Sequence, residues 1–105
     1  MGGKRALIEK IKKFKARVSK RMPVQNMILF GSRAGGAAKE YSDVDLVVVS
    51  KGFEGKDFFE RPFILYKEWD LGYPVDFLCY TPKEFNKKSN QITIVRKAIR
   101  EGMTI

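Results

Sequence analysis

Leu29-Phe30-Gly31-Ser32, ten intervening residues, and then Asp43-Val44-Asp45-Leu46 form the stretch that decides how this chain of 105 residues reads. The run 27–30 (Met-Ile-Leu-Phe) is short, apolar and stopped by Gly31-Ser32, as a buried strand entering a turn would be. A loop containing Gly35 and Gly36 follows. Residues 44–49 (Val-Asp-Leu-Val-Val-Val) are dense in β-branched side chains, and Lys51-Gly52 closes them, which predicts a second strand. Strand side chains alternate between faces, so Asp43 and Asp45 project from the same face, one pleat apart. Two ionised carboxylates at about 4 Å repel by about 4 kcal/mol at an effective dielectric near 20. Such a pair persists if it shares a proton or holds a cation.

Working outward, residues 74–80 predict a third strand, and Val75-Asp76-Phe77-Leu78 places a further carboxylate on it. An acid among apolar neighbours is costly unless paired or ligating, which makes Asp76 the natural partner of Asp43 and Asp45. Oxygen-only donors select hard cations, Mg²⁺ or Mn²⁺. Nucleotidyl transfer uses two such ions, one at the attacking oxygen and one at the departing pyrophosphate. Gly31 lets backbone approach a ligand closely, and its N–H with the Ser32 hydroxyl can cradle phosphate oxygens. Arg33 follows, positioned to pair with a triphosphate. Gly-Ser alone is a common turn, and Asp-x-Asp alone a common strand end. Their spacing, set in strand–turn and then strand, turns two weak signals into one.

The flanking segments predict helices. Leu7, Ile11, Phe14 and Val18 recur at helical spacing within 4–21, with Lys and Arg on the other faces and Pro23 as the stop. Over 57–70, Phe59, Phe63 and Tyr66 recur at i, i+4 and i+7, with Leu65 and Trp69 widening the apolar face and Pro62 near the start of the regular helix. Thr81-Pro82-Lys83-Glu84 reads as an N-cap, first-turn Pro and capping box. A last helix over about 90–101 is expected to put Ile92, Val95 and Ile99 on one face, and 103–105 to add an edge strand. The order is α-β-loop-β-α-β-α, one α/β (α+β) domain over residues 1–105 with its core motifs in 24–82.

Composition narrows the chemistry. There is no histidine, which excludes imidazole bases and His-containing zinc sites. Cys79 is the single cysteine and sits in an apolar run, so it reads as a buried core thiol suited to a reducing cytoplasm. No apolar run reaches the roughly 20 residues that span a bilayer, and no secretory signal is evident, so the protein is expected to be cytoplasmic without membrane contact. The net charge of +9 is concentrated: residues 1–21 carry nine Lys or Arg against Glu9. That helix presents either a solvated basic face or a contact surface for an acidic protein or nucleic-acid phosphates. No exposed aromatic pattern suggests stacking on single strands.

Gly31-Ser32, ten residues, Asp43-x-Asp45, and a later strand with Asp76 resemble the nucleotidyltransferase domain of the DNA polymerase β superfamily. Phe30-Gly31-Ser32-Arg33-Ala34 and Ser42-Asp43-Val44-Asp45-Leu46 are especially similar to its minimal nucleotidyltransferase group. The resemblance implies a mixed sheet flanked by helices. In it Asp43 and Asp45 would hold both metals, Asp76 would hold the catalytic metal and help deprotonate the acceptor, and Gly31 and Ser32 would contact the β- and γ-phosphates. It implies transfer of a nucleoside monophosphate, commonly AMP from ATP, with release of pyrophosphate. A small helical HEPN-type protein is implied as partner, in a toxin–antitoxin couple. The chain departs from many relatives at Gly35, where they carry a second Arg. Two other readings stand beside an active enzyme: a weakly active or inactive antitoxin-like module that neutralises its partner by contact, and a small basic nucleic-acid-binding protein.

Overall fold

In the computed structural model, residues 3–31, 43–91 and 93–105 are described. The first helix, α1 (Gly3–Ser19), forms where the helical apolar period runs longest, and Leu7, Ile11, Phe14 and Val18 are all buried, as expected. Each such large side chain removed from water contributes about 1.5–3 kcal/mol. The basic residues between them stay outside, several held in place: Arg17 donates to the Glu68 carbonyl and to Asp70 (2.7 Å), and Arg21 pairs with Glu68 (2.5 Å).

Strands β1 (Asn26–Phe30), β2 (Val44–Val49) and β3 (Val75–Tyr80) match the three expected runs to within a residue or two. The short β4 (Met103–Thr104) completes a mixed sheet in the order β3-β2-β1-β4. β1 runs antiparallel to β2 and to β4, while β2 and β3 are parallel. Both faces are covered. Leu46, Val48, Phe77 and Met27 pack with α1, whereas Val47, Val49, Ile28 and Tyr80 pack with Val95 and Ala98 of the last helix. A strand buried on both sides needs apolar residues at consecutive positions, which is why β2 is a continuous run rather than an alternation.

Three expectations change. Residues 57–70 do not make one helix. A 3₁₀ turn at Phe58–Glu60, capped by Asp57, is followed by α2 (Phe63–Glu68), which starts at Pro62 as the ring's missing N–H would dictate. The periodic aromatics are not core residues either: Phe59 and Phe63 are 80% and 61% exposed, Tyr66 is 45% exposed with one edge against Phe77, and Leu65 is the buried residue. The orientation is fixed by Arg61, itself buried, whose guanidinium binds Glu84 (2.6 and 3.2 Å) and the Cys79 carbonyl (3.1 Å).

Beyond β3 there are two helices rather than one. The capping box is real, with Thr81 and Glu84 satisfying each other's backbone N–H, and it opens α3 (Pro82–Ser89). A second N-cap, Thr93, opens α4 (Ile94–Glu101). In α4 the buried face is Val95 and Ala98, while Ile99 is exposed. Ile92 lies outside the described residues. Cys79 is buried, as expected, and burial pushes its thiol up to about 12.

Candidate functional site

The ladder register brings the carboxylates together. Phe30 is opposite Asp45 across β1 and β2, and Asp45 is opposite Asp76 across β2 and β3. Because β2 and β3 are parallel and in step, both acids occupy the same rung and the same sheet face, at the strand starts. Val47 and Val49 continue that face under α4. Asp43 precedes β2 by one residue and is exposed. Burial, and after it the charges of Asp76 and Asp43, push the Asp45 carboxyl above the ordinary aspartate range. Asp45 therefore lies close enough to both other acids to feel their charge.

Asp76 differs from its expected setting. It is exposed rather than buried among apolar groups, because β3 is the sheet edge and its first residues lie outside the core. An exposed carboxylate can exchange protons and meet an incoming group.

Gly31 follows the β1 residue that faces Asp45, and its φ is +75°, the left-handed region that favours glycine. A Cβ there would collide with Asp45 Oδ2. The glycine thus lets the turn backbone lie directly against the carboxylate. Ser32 and Arg33 lie outside the described residues.

The donor set is three carboxylates and backbone, the chemistry of a hard divalent cation. Among the described residues no group of three His, Cys, Asp or Glu is already gathered as a metal cluster. The carboxylates are instead spaced along two strand starts, where a cation would lower their mutual repulsion.

Two features have little signature in the sequence. Arg61 ties the segment before α2 to the far end of β3, and only its position before Pro62 and the capping-box Glu84 hint at it. Tyr66 donates its hydroxyl to the Val75 carbonyl (3.3 Å) and packs on Phe77 (5.1 Å between centroids), beside Asp76. Partial burial, then Asp76, pushes the Tyr66 hydroxyl pKa up. Separately, Lys10, Lys13, Arg17, Asp70 and Leu71 line a cleft of about 240 Å³ against α1. None of the acidic trio lines it.

Comparison with known proteins identifies the family and the fold. The family model described as a nucleotidyltransferase domain matches residues 11–100. A Haemophilus influenzae protein described as a probable protein adenylyltransferase, MntA, is 35% identical over 78 residues, covering 70% of this chain and 67% of that one. A Sulfolobus solfataricus crystal structure, described as that of a putative nucleotidyltransferase and solved at 1.40 Å, superposes with a TM-score of 0.69 at 20% identity, covering 96% of this chain and 80% of that one. That last likeness concerns the fold. The chain belongs to the nucleotidyltransferase domain family and is a transferase of nucleotidyl groups. Within the family it is of the minimal type that its motifs resemble.

Proposed function

We propose that residues 1–105 act as one minimal nucleotidyltransferase unit that transfers AMP from ATP to a hydroxyl of a partner protein, releasing pyrophosphate. The observation that carries this reading is the rung shared by Asp45 and Asp76, with the Gly31 backbone pressed against Asp45. The relative's description as a protein adenylyltransferase supports AMP as the group and protein as the acceptor. Asp43, Asp45 and Asp76 would hold Mg²⁺ or Mn²⁺, which when bound supplies positive charge to the triphosphate and to the attacking oxygen. Gly31 and Ser32 are assigned to the β- and γ-phosphates, and Arg33 to the triphosphate charge. The acceptor oxygen forms a bond to the α-phosphorus, the bond from that phosphorus to the bridging oxygen breaks, and pyrophosphate departs. Asp76, exposed at the start of the edge strand, takes the hydroxyl proton.

The acceptor proposed is a small helical protein of the HEPN type, met in the cytoplasm. No helix among the described residues is long and apolar enough to cross a membrane. The test is label transfer from ATP carrying a labelled α-phosphorus, with Mg²⁺ or Mn²⁺ present. Asp76→Asn is expected to keep ATP affinity within about tenfold, or about 1.4 kcal/mol, while transfer disappears. Undiminished transfer by that variant would remove Asp76 from the mechanism, and no transfer by the wild type under any of these conditions would sink the reading.

A further inference from the structure

The segment from the 3₁₀ turn through α2 runs along the outer edge of β3, in the opposite direction. Arg61 reaches the Cys79 carbonyl near the end of that strand, and Tyr66 reaches the Val75 carbonyl at its start. Edge strands are commonly blunted by such coverings. What is unusual is the outward side of this cover. Phe59, Phe63 and Tyr66 stand four and then three residues apart, and all three are exposed. Phe58, half-exposed, packs edge-on against Phe59 at 5.6 Å.

Three aromatic side chains of about 200 Å² each, weighted by their exposure, leave about 370 Å² of apolar surface open, in the range of a typical monomer's largest, and often functional, patch. That is too small for an obligate dimer, whose interface runs to about 2,000 Å² or more. It suits the apolar centre of a non-obligate contact burying about 800 Å² per partner. Its border is acidic. Residues 54–60 contain Glu54, Asp57 and Glu60 against Lys56, all exposed, and beyond Tyr66 lies Asp76; Lys67 is the other exposed cation of this segment. The chain's excess positive charge lies in residues 1–21, so this acidic border differs in charge from the α1 face as well as in apolarity. Tyr66 also links the patch to the acidic trio, because its hydroxyl binds the residue next to Asp76.

We propose that Phe59, Phe63 and Tyr66 form the docking shelf for the acceptor protein, which lays an apolar helix face flanked by Lys or Arg along the β3 edge and so brings its hydroxyl to Asp76. This rests on the reading of the chain as a protein-modifying transferase. The shelf gives a minimal domain a second point of hold, so that the acceptor is oriented rather than merely met.

The variant that tests it is Phe59→Ser combined with Phe63→Ser, both exposed and neither in the acidic trio. Two measurements are made on the full chain. In the first, a fluorescent peptide of about 18 residues, with Leu on one helical face and Lys on the others, is titrated and read by anisotropy, alongside a Leu/Glu peptide. The Leu/Lys peptide is expected to bind the wild type at least about tenfold more tightly than the variant, while the Leu/Glu peptide does not distinguish them. Equal binding of the Leu/Lys peptide to both proteins, or none to either, overturns the shelf. In the second, label transfer from ATP to proteins of a bacterial lysate is expected to fall about tenfold or more in the variant, with ATP affinity within about twofold. Loss of ATP affinity would make the patch a nucleotide subsite, and a wild-type dimer that the variant dissolves would make it a self-interface; either overturns the proposal. A wild type that labels no protein refutes the transfer reading alone, and the peptide titration still decides the shelf.

Discussion

Helix α1 and the segment 57–68 obey the same arithmetic and arrive at opposite results. In α1 the residues at i, i+4, i+7 and i+11 are Leu7, Ile11, Phe14 and Val18, and every one is buried. In the other segment the residues at i, i+4 and i+7 are Phe59, Phe63 and Tyr66, and every one is exposed. Periodicity says which residues share a face. It does not say what that face meets. α1 lies across a sheet face that needs covering, so its apolar stripe has a partner. The segment 57–68 lies along an edge and breaks at Arg61-Pro62 into a 3₁₀ turn and α2, and with Arg61 and Leu65 buried, Phe59, Phe63 and Tyr66 are left exposed.

The first way to break the comparison is to truncate a member of each stripe. Phe14 packs edge-on with Trp69 (5.0 Å) and stacked with Phe77 (5.8 Å). Phe14→Ala is expected to cost about 3–5 kcal/mol in denaturant unfolding, the range for emptying a core site of this size. A loss below about 1 kcal/mol would mean α1 is not packed as described.

The second prediction tests what rotates the exposed stripe. Arg61→Met leaves the Cys79 and Lys56 carbonyls without their donor and removes the partner of Glu84. The expected cost is about 2–3 kcal/mol, lowering Tm by roughly 4–8 °C per kcal/mol in a domain of this size. The pH dependence follows. The hydrogen bond from Arg61 holds the Glu84 carboxyl below its usual value, so the stability it contributes is present above the ordinary glutamate range and is lost as pH falls through the lowered value. Wild type should therefore lose more stability than Arg61→Met on acidification from about pH 5 to about pH 3. Parallel curves would assign Arg61 a role in packing alone.

These contrasts explain what could be read from the residues. The three central strands were legible because each is a short, largely apolar run, β2 above all, whose burial on both faces calls for Leu and Val at consecutive positions 46–49. The shared rung of Asp45 and Asp76 was not. Alternation places Asp43 and Asp45 on one face, but only the parallel register of β2 and β3 sets Asp76 abreast of Asp45. The capping box at Thr81 was legible because its chemistry is local. The expected last helix starts at about residue 90 and the expected order counts one helix after β3, although Thr93 caps the second helix as plainly as Thr81 caps the first. Arg61 was passed over because its partners lie 18 and 23 residues away, beyond any local pattern. Ser32, Arg33 and the Gly35 departure lie outside the described residues, and of the residues proposed to meet phosphate the structure describes Gly31.

The third prediction contrasts the acidic strand starts with both apolar stripes, because here removing a group should stabilise. Asp45 is pressed by its own burial and by Asp76 and Asp43. Asp45→Asn is expected to raise the stability of metal-free protein by on the order of 1 kcal/mol. Mg²⁺ or Mn²⁺ at millimolar levels is expected to raise the wild-type Tm and to leave most of that rise absent in the variant. A wild type indifferent to both ions, with and without ATP, would count heavily against these carboxylates as ligands.

The smallest effect sharpens the comparison most. Phe59 is 80% exposed, and of the rings described only Phe58 and its own neighbouring turn touch it. Removing such a side chain deletes little buried surface, so Phe59→Ser should change unfolding free energy by no more than about 0.5 kcal/mol, the usual limit for surface substitutions. Truncating Phe14 is expected to cost several times more, although the sequence period marks both residues as members of an apolar stripe. If instead Phe59→Ser destabilised the isolated protein by about 2 kcal/mol or more, the ring would have to be buried in solution. The cover over β3 would then be closed rather than open, and the aromatic stripe would be core in the ordinary sense. A near-neutral result leaves a large aromatic residue in water with no role in stability, which is the pattern expected of a surface kept for contact.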